Sequence, residues 1–371
     1  MTFSQIRLSA IERPSAALKQ FEGLLKPKTD LELESMAQNA ARLTRQHFGK
    51  AIRLFAPLYL SNECINSCAY CGFSRENSIN RVTLEVNEVL TEARHLAQEG
   101  FRNILLVAGE HPKFVSNGYL ELCISKLVKE IPSISLEVAP METAEYIPMV
   151  NAGAEGLIVY QETYHEATYA TVHVAGPKKN YSWRLDTIER GYEAGFRRLG
   201  VGVLFGLWDW REEAMALAAH IEHLQRTCWK AQITVSLPRL RPAAGSFEPT
   251  HPISDRDFIQ LMFALRLVFP HVGIVLSTRE PEALRDAIIS LGVTMMSAGS
   301  HTEPGGYTGQ GKENLHLTVR GKALPAAVDA EFATGQFEIS DERSAAQVAD
   351  RLRSLGLEPV WKDWDHAILN S

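Results

Sequence analysis

Three of the chain's five cysteines, Cys64, Cys68 and Cys71, fall within eight positions of the stretch "CINSCAYCGF". In a chain of 371 residues, an odd number of cysteines with three clustered suits a reducing compartment and metal ligation better than a disulfide framework. A closed structural zinc site needs four ligands, usually as two pairs, and this loop supplies three. Cys123 and Cys228 are the other candidates, but "YLELCISKLV" and "HLQRTCWKA" read as helices, where an isolated Cys is more often a small buried hydrophobe. Three unligated structural thiols in one loop are the bland alternative. On a four-iron cubane, three thiolates leave one iron without a protein ligand, open to a substrate or cofactor.

The elements that must position this loop follow from periodicity. An amphipathic helical segment over residues 31 to 50 precedes the strand-like run "AIRLFAPLYL", so the cysteines lie in the loop after a first strand. The runs "NILLVAG", "SISLEVA", "GLIVYQ", "LGVGVLFG", "QITVSLP", "VGIVLST" and "VTMMSAG" follow, with segments of helical period between them at 85–99, 118–130, 143–152, 184–194, 211–227, 254–269 and 281–290. Eight strands alternating with helices, apolar on both faces, predict an α/β fold, a (β/α)8 TIM-type barrel. Two smaller doubly wound domains are the alternative, although no Ser- or Gly-rich linker divides the chain near its middle. The predicted organisation is an N-terminal helical extension over 1–50, the barrel over 51–300, and a C-terminal long loop and helix over 301–371 that close it.

In such barrels the active site lies at the C-terminal ends of the strands. Tyr59 leads into the cysteine loop, the second strand ends in Gly109-Glu110, the third carries Glu137 and the fourth ends in Gln161-Glu162. The sixth runs into Arg239 and Arg241, the seventh ends at Arg279 and the eighth carries Ser297. Any one of these fits a solvated strand end or a helix cap. Together, carboxylates and guanidiniums around one cavity suit a zwitterionic ligand, because buried charges must be paired.

A formal charge of -6, with basic residues scattered along the chain, gives no electrostatic footprint for nucleic acid or an anionic membrane. No apolar run approaches the roughly 18 residues needed to span a bilayer, and the opening residues lack the apolar core of a secretion signal. A cytoplasmic protein acting on small molecules is the expectation.

"CINSCAYC" resembles the C-x3-C-x2-C signature of radical S-adenosyl-L-methionine (SAM) enzymes. Within that superfamily, "PLYLSNECINSCAYCGF", "LLVAGEH", "VYQETYHEATY", "SLPRLRP", "LSTRE", "PGGY" and "PVWKDWD" are similar to the tyrosine lyases of thiamine biosynthesis. The likeness runs from about residue 33 to 307 and returns near the end, and is weaker over the loop 309–335. Two relatives share most of these motifs. The tyrosine lyases that mature [FeFe]-hydrogenase, of the HydG type, add cysteines near the C-terminus for a second cluster, and no cysteine follows Cys228 here. The tryptophan lyases of the NosL type share the barrel and the Arg that binds the amino acid, whereas the ending "PVWKDWD" favours tyrosine.

The resemblance implies a [4Fe-4S] cluster on Cys64, Cys68 and Cys71, with SAM chelated at the fourth iron. It places Glu110 at the methionyl amine, Glu137 near the ribose hydroxyls, the backbone around Tyr70 near adenine, and Arg184 near the methionyl carboxylate. A surface pair of Arg184 with Asp186 or Glu189 is the plain alternative. Arg279 and Ser297 are expected to bind the carboxylate of L-tyrosine, with Tyr59 bordering the reacting amine and Glu162 lining the same cavity in a catalytic role. For Arg279, an ordinary salt bridge to Glu280 or Glu282 is the alternative. The implied reaction breaks the Cα–Cβ bond of tyrosine, giving 2-iminoacetate (dehydroglycine) and p-cresol. The implied partners are an electron donor such as flavodoxin or ferredoxin and the thiazole synthase (ThiG) that receives the imine.

Overall fold

The computed structural model describes residues 2–319, 322–325 and 331–361. Eight parallel strands form its centre: β1 (Ala51–Ser61), β2 (Asn103–Ala108), β3 (Ser133–Glu137), β4 (Gly156–Ile158), β5 (Arg198–Gly202), β6 (Gln232–Ser236), β7 (Gly273–Leu276) and β8 (Met295–Ser297). Each pairs with the next in chain order, and β8 pairs with β1 through Arg53 and Met295, Leu54 and Met296, and Phe55 and Ser297. The sheet is therefore a closed barrel, as the alternation of runs predicts, and the two-domain alternative is excluded.

Alternation along β1 shows how sequence sets the two faces. Ile52, Leu54, Ala56, Leu58 and Leu60 join the large core between strands and helices, while Phe55 and Tyr59 belong to a separate cluster inside the barrel with Leu105 and Val107. Period two puts these sets on opposite sides of the pleat. Burying an aliphatic side chain of the outer set is worth about 1.5–3 kcal/mol, so a one-residue slip would be opposed by the whole row.

The helices lie close to their expected positions, among them Val86–Gln98, Thr143–Ala152, Trp210–Thr227 and Asp255–Val268, and the C-terminal helix is Ala345–Ser354. The segment expected at 184–194 is instead two helices, Tyr181–Leu185 and Thr187–Ala194, meeting at Asp186, whose carboxylate accepts from Ser4. Within the predicted N-terminal helical extension, helices Phe3–Glu12 and Ala16–Leu25 pack on the helices Trp210–Thr227 and Asp255–Val268. Helix Asp30–Phe48 starts at a capping box formed by Thr29 and Glu32.

The long C-terminal loop holds more structure than its Gly-rich sequence suggests. Strands His316–Val319 and Lys322–Pro325 pair antiparallel, and the first of them also pairs with Ile79–Arg81, just beyond the cysteine loop. The "PGGY" motif is a latch. Buried Glu92 accepts from Tyr307 N at 3.0 Å, from Thr308 N at 2.8 Å and from the Thr308 hydroxyl, and the Tyr307 hydroxyl donates to Pro57 O at 2.7 Å. A final strand, Glu358–Val360, pairs with the first residues of β1 at the opposite end of the barrel from the cysteines. Lys362 to Asp365 of "PVWKDWD" lie outside the described residues.

Candidate active site

Residues 62–78 follow β1 and bend over the barrel mouth. Gly109 is where this loop crosses β2: a Cβ there would stand 2.2 Å from Glu63 O and 3.3 Å from Cys64 Cβ. Asn66 organises the crossing, donating to Glu110 Oε2 at 2.7 Å and accepting from Lys178 N at 2.9 Å. Cys68 is buried, whereas Cys64 and Cys71 are half-buried.

The thiols fit a cluster better than an isolated ion. Among the described residues no three His, Cys, Asp or Glu side chains are placed to hold a single metal ion. A cubane takes each thiolate on a different iron, so its ligands stand farther apart than those around one ion. Burial pushes the bare Cys68 thiol up to about 12, so a buried thiolate here needs a metal's positive charge. Amide donors approach two of the sulfurs, Asn66 Nδ2 at 3.7 Å from Cys64 Sγ and Gln336 Nε2 at 3.9 Å from Cys71 Sγ. Cys123 and Cys228 are buried apolar residues on or at the end of their helices.

Below the loop, one cavity is lined by Tyr59, Glu137, Arg279 and Ser297 together. Its walls include Phe55, Leu105, Val107, Val275 and Leu237, and Gln336 and Phe337 roof it. The mixture of a largely apolar wall with few polar groups is typical of small-molecule sites.

Arg279 has no carboxylate partner among the described residues. Its guanidinium lies over the ring of Phe337, 3.3 Å from the centroid, and its nearest acceptor is Arg239 O at 3.5 Å. Neither acid of the alternative reading is available: Glu280 is taken by Arg239 and Arg241, and Glu282 pairs with Arg343 at 3.4 Å. Arg239 and Arg241 are thus a correction to the expectation of guanidiniums facing a ligand, since their charge is spent on Glu280. Ser297 Oγ accepts from Thr278 N at 3.0 Å, which leaves its hydroxyl proton to donate.

On the other side of the mouth, Glu162 accepts from Lys178 Nζ at 2.6 Å and Arg184 Nη2 at 3.3 Å, and Arg184 Nε also donates to Tyr160 O at 2.8 Å. The surface pairing considered for Arg184 does not occur: Asp186 accepts from Ser4, and Glu189 pairs with His223 at 2.7 Å. Burial alone would raise the Glu162 carboxyl, but Lys178 and then Arg184 outweigh it and hold the group at about 2. Glu162 is also the sole non-glycine residue among those described with positive φ, at 72°, a conformation costly enough to need support from its surroundings.

Among the described residues Glu137 makes no ion pair, and the cations Arg279, Arg184 and Lys178 act on it only from a distance. Burial, and then the nearby Glu162, pushes its carboxyl up to about 7. The Tyr70 hydroxyl meets His173 Nε2 at 2.8 Å, and burial followed by Lys178 lowers His173 to about 3, so the ring is neutral. Lys178 Nζ lies 5.6 Å from the centre of the Tyr70 ring. Lys178, Asn66, Gln336 and Phe337 are the neighbours of the site that the sequence did not mark. For Lys178 and Asn66, proximity to named motifs was the available signal.

Residues 58–218 match the family model described as the radical SAM superfamily, and residues 236–358 match the biotin and thiamin synthesis associated domain. The chain is 40% identical over 343 residues to the 2-iminoacetate synthase of Escherichia coli K12, covering 92% of this chain and 86% of that protein. It is 39% identical over the same length to the corresponding enzyme of Salmonella typhimurium LT2. Among solved structures, HydG, a maturase of the [FeFe]-hydrogenase, superposes with a TM-score of 0.83 at 29% identity over 96% of this chain and 79% of that one. HydG from Carboxydothermus hydrogenoformans gives 0.82 at 35% identity, covering 97% and 80%. With the cysteine loop over the mouth of a closed barrel, this degree of identity makes the chain a member of the 2-iminoacetate synthase family of radical SAM enzymes.

Proposed function

We propose that the protein cleaves the Cα–Cβ bond of L-tyrosine to 2-iminoacetate and p-cresol, for thiamine thiazole synthesis. The observation that carries this reading is the half-buried Arg279 guanidinium, which lines the cavity beneath the cysteine loop and has no ion pair with a carboxylate among the described residues. A guanidinium without its own carboxylate is completed by a ligand's, and its planar fork fixes direction as well as position. The Ser297 hydroxyl adds a donor to the same carboxylate, and Tyr59 borders the amine.

A [4Fe-4S] cluster with bound SAM would supply radical chemistry, able to take a hydrogen atom from the tyrosine amino group. Cys64, Cys68 and Cys71 would hold the cluster. Glu110, steadied by Asn66, would accept from the methionyl ammonium, with Glu137 near the ribose and the Tyr70 backbone near adenine. Arg184 and Lys178, held in place by the one carboxylate of Glu162 and so keeping a net positive charge, would face the methionyl carboxylate as a fixed cationic wall. The chain's own contribution is orientation and exclusion of water, since a misplaced substrate offers the wrong hydrogen.

The reading extends to a low-potential electron donor such as flavodoxin or ferredoxin, to transfer of the imine to thiazole synthase, and to action in the cytoplasm. Among the described residues no helix is long and apolar enough to cross a membrane. An anaerobic incubation of reconstituted protein with dithionite, SAM and either tyrosine or tryptophan tests the core of the reading. The expected result is 5′-deoxyadenosine formed in step with p-cresol from tyrosine alone. SAM cleavage without p-cresol, or an indole product from tryptophan, would overturn it.

A further inference from the structure

The segment 331–341 crosses the barrel mouth as a strap fastened at both ends. At the cysteine side, Thr334 N donates to Asn80 O at 2.9 Å, and Asn62 Nδ2 donates to Thr334 O at 3.0 Å. At the other end, Ser340 N and Asp341 N both donate to Thr278 O, at 2.8 and 3.1 Å. Buried Arg285 joins Asp341 to Ser297 O, the latter at 2.5 Å, so the strap is locked to the strand that carries Ser297. Between these anchors, Gln336 and Phe337 face the cavity.

Gln336 touches both halves of the chemistry. Its Oε1 accepts from the Tyr59 hydroxyl at 2.8 Å, while its Nε2 lies 3.9 Å from Cys71 Sγ. Its backbone is pinned too, with Gly72 N donating to Gln336 O at 3.1 Å and Gln336 N to Thr302 O at 2.9 Å. The cysteine loop is shaped to admit it. A Cβ on Gly72 would stand 2.5 Å from Gln336 O and 2.8 Å from Gly335 O, so the residue after Cys71 must be glycine for the strap to lie where it does.

Resting on the tyrosine lyase reading, we propose that Gln336 is a positioning residue that couples the substrate cavity to the cluster: its carbonyl holds the Tyr59 phenol in place beside the reacting amine, and its amide N–H donates to the Cys71 sulfur. A donor to a cluster sulfur favours the reduced, more negative state and raises the reduction potential. Removing Gln336 therefore does two things at once, lowering the potential and loosening Tyr59. A residue that only filled space would do neither.

The test uses the full chain with its cluster reconstituted, comparing Gln336→Leu, Gln336→Glu and Tyr59→Phe. Potentiometric titration followed by electron paramagnetic resonance, without amino acid present, reads the cluster. The ratio of p-cresol to 5′-deoxyadenosine reads substrate placement. Gln336→Leu should lower the potential and reduce the product ratio several-fold. Gln336→Glu keeps the acceptor for Tyr59 but loses the donor to Cys71 and adds negative charge, so the potential should fall while the ratio stays nearer wild type. Tyr59→Phe should reduce the ratio and leave the potential unmoved. A wild-type potential and a wild-type ratio in Gln336→Leu would overturn the assignment. Should that variant fail to assemble a cluster, an unchanged potential in Gln336→Glu would overturn it instead. Failure of the lyase reading itself would show separately, as wild-type protein that makes no p-cresol.

Discussion

The two sides of the barrel mouth hold their charges differently. Beside the cysteine loop, Lys178 and Arg184 both pair with Glu162, so two cations share one carboxylate. Across the cavity, Arg279 lies against a phenyl ring and a backbone carbonyl and makes no ion pair with a carboxylate among the described residues. A charge buried without a counterion is unfavourable and is tolerated where a ligand completes it. The first side thus holds its own counterion, whereas Arg279 has none, which is what supports its proposed role toward the substrate carboxylate. Ordinary ion-pair counting would have ranked them the other way, favouring the side with more salt bridges as the site.

This contrast can be broken most severely on the paired side. Glu162→Gln leaves two buried cations, Lys178 and Arg184, without their anion, and removing one partner from a buried pair typically costs about 3–5 kcal/mol. Denaturant unfolding of the apoprotein should show a loss of that order, and an unchanged midpoint would mean that the pairing contributes nothing. The next effect is on binding. Arg279→Lys keeps the charge but loses the fork, and a charge-assisted hydrogen bond contributes roughly 1.5–3 kcal/mol, or about ten- to a hundredfold in tyrosine affinity. The variant should still cleave SAM while making little p-cresol. Arg279→Met should leave the stability of the amino-acid-free protein equal or higher, the opposite sign to Glu162→Gln; a large destabilisation would show that Arg279 has a structural partner.

The smallest effect concerns pH. Glu137 keeps its proton to about 7 when folded, against an ordinary 4.5, so between these values the folded state binds more protons than the unfolded one. Stability should therefore fall as pH rises from about 4.5 to 7 and level off above. Glu162, held at about 2, acts in the opposite sense, and its contribution is lost as pH falls from 4.5 toward 2. Glu137→Gln should flatten the first slope in part, because buried Glu213 is also raised to about 7. If the unfolding free energy of Glu137→Gln followed pH as wild type does, the carboxyl would be ionised in the folded protein.

The Glu137 case shows how legible the site was from sequence. Period two along β3 puts Ser135 and Glu137 on the inner face, as it puts Tyr59 there on β1 and Ser297 on β8. The rule that the C-terminal strand ends carry the chemistry was enough to group those residues around one cavity from the sequence. It could not separate Arg279 from Arg239 and Arg241, which follow strands in the same manner. Pairing decided that, and Glu280 is adjacent to Arg279 in sequence yet bonded to arginines some forty positions earlier.

What the sequence determined by itself, then, was whatever depends on local order: eight alternating runs, the faces of each strand, and three thiols in one loop. These are set by backbone geometry and by burial of one face, both of which act over a few residues. The strap was beyond reach, because "ATGQFEIS" has no period and no motif. Gln336 stands 277 positions from Tyr59 and 265 from Cys71, and only closure of the barrel brings β8 and the chain beyond it back beside β1. The tertiary structure decided which charges are paired, where the roof lies and why Gly72 must lack a side chain, since each depends on segments that meet only when the sheet closes on itself.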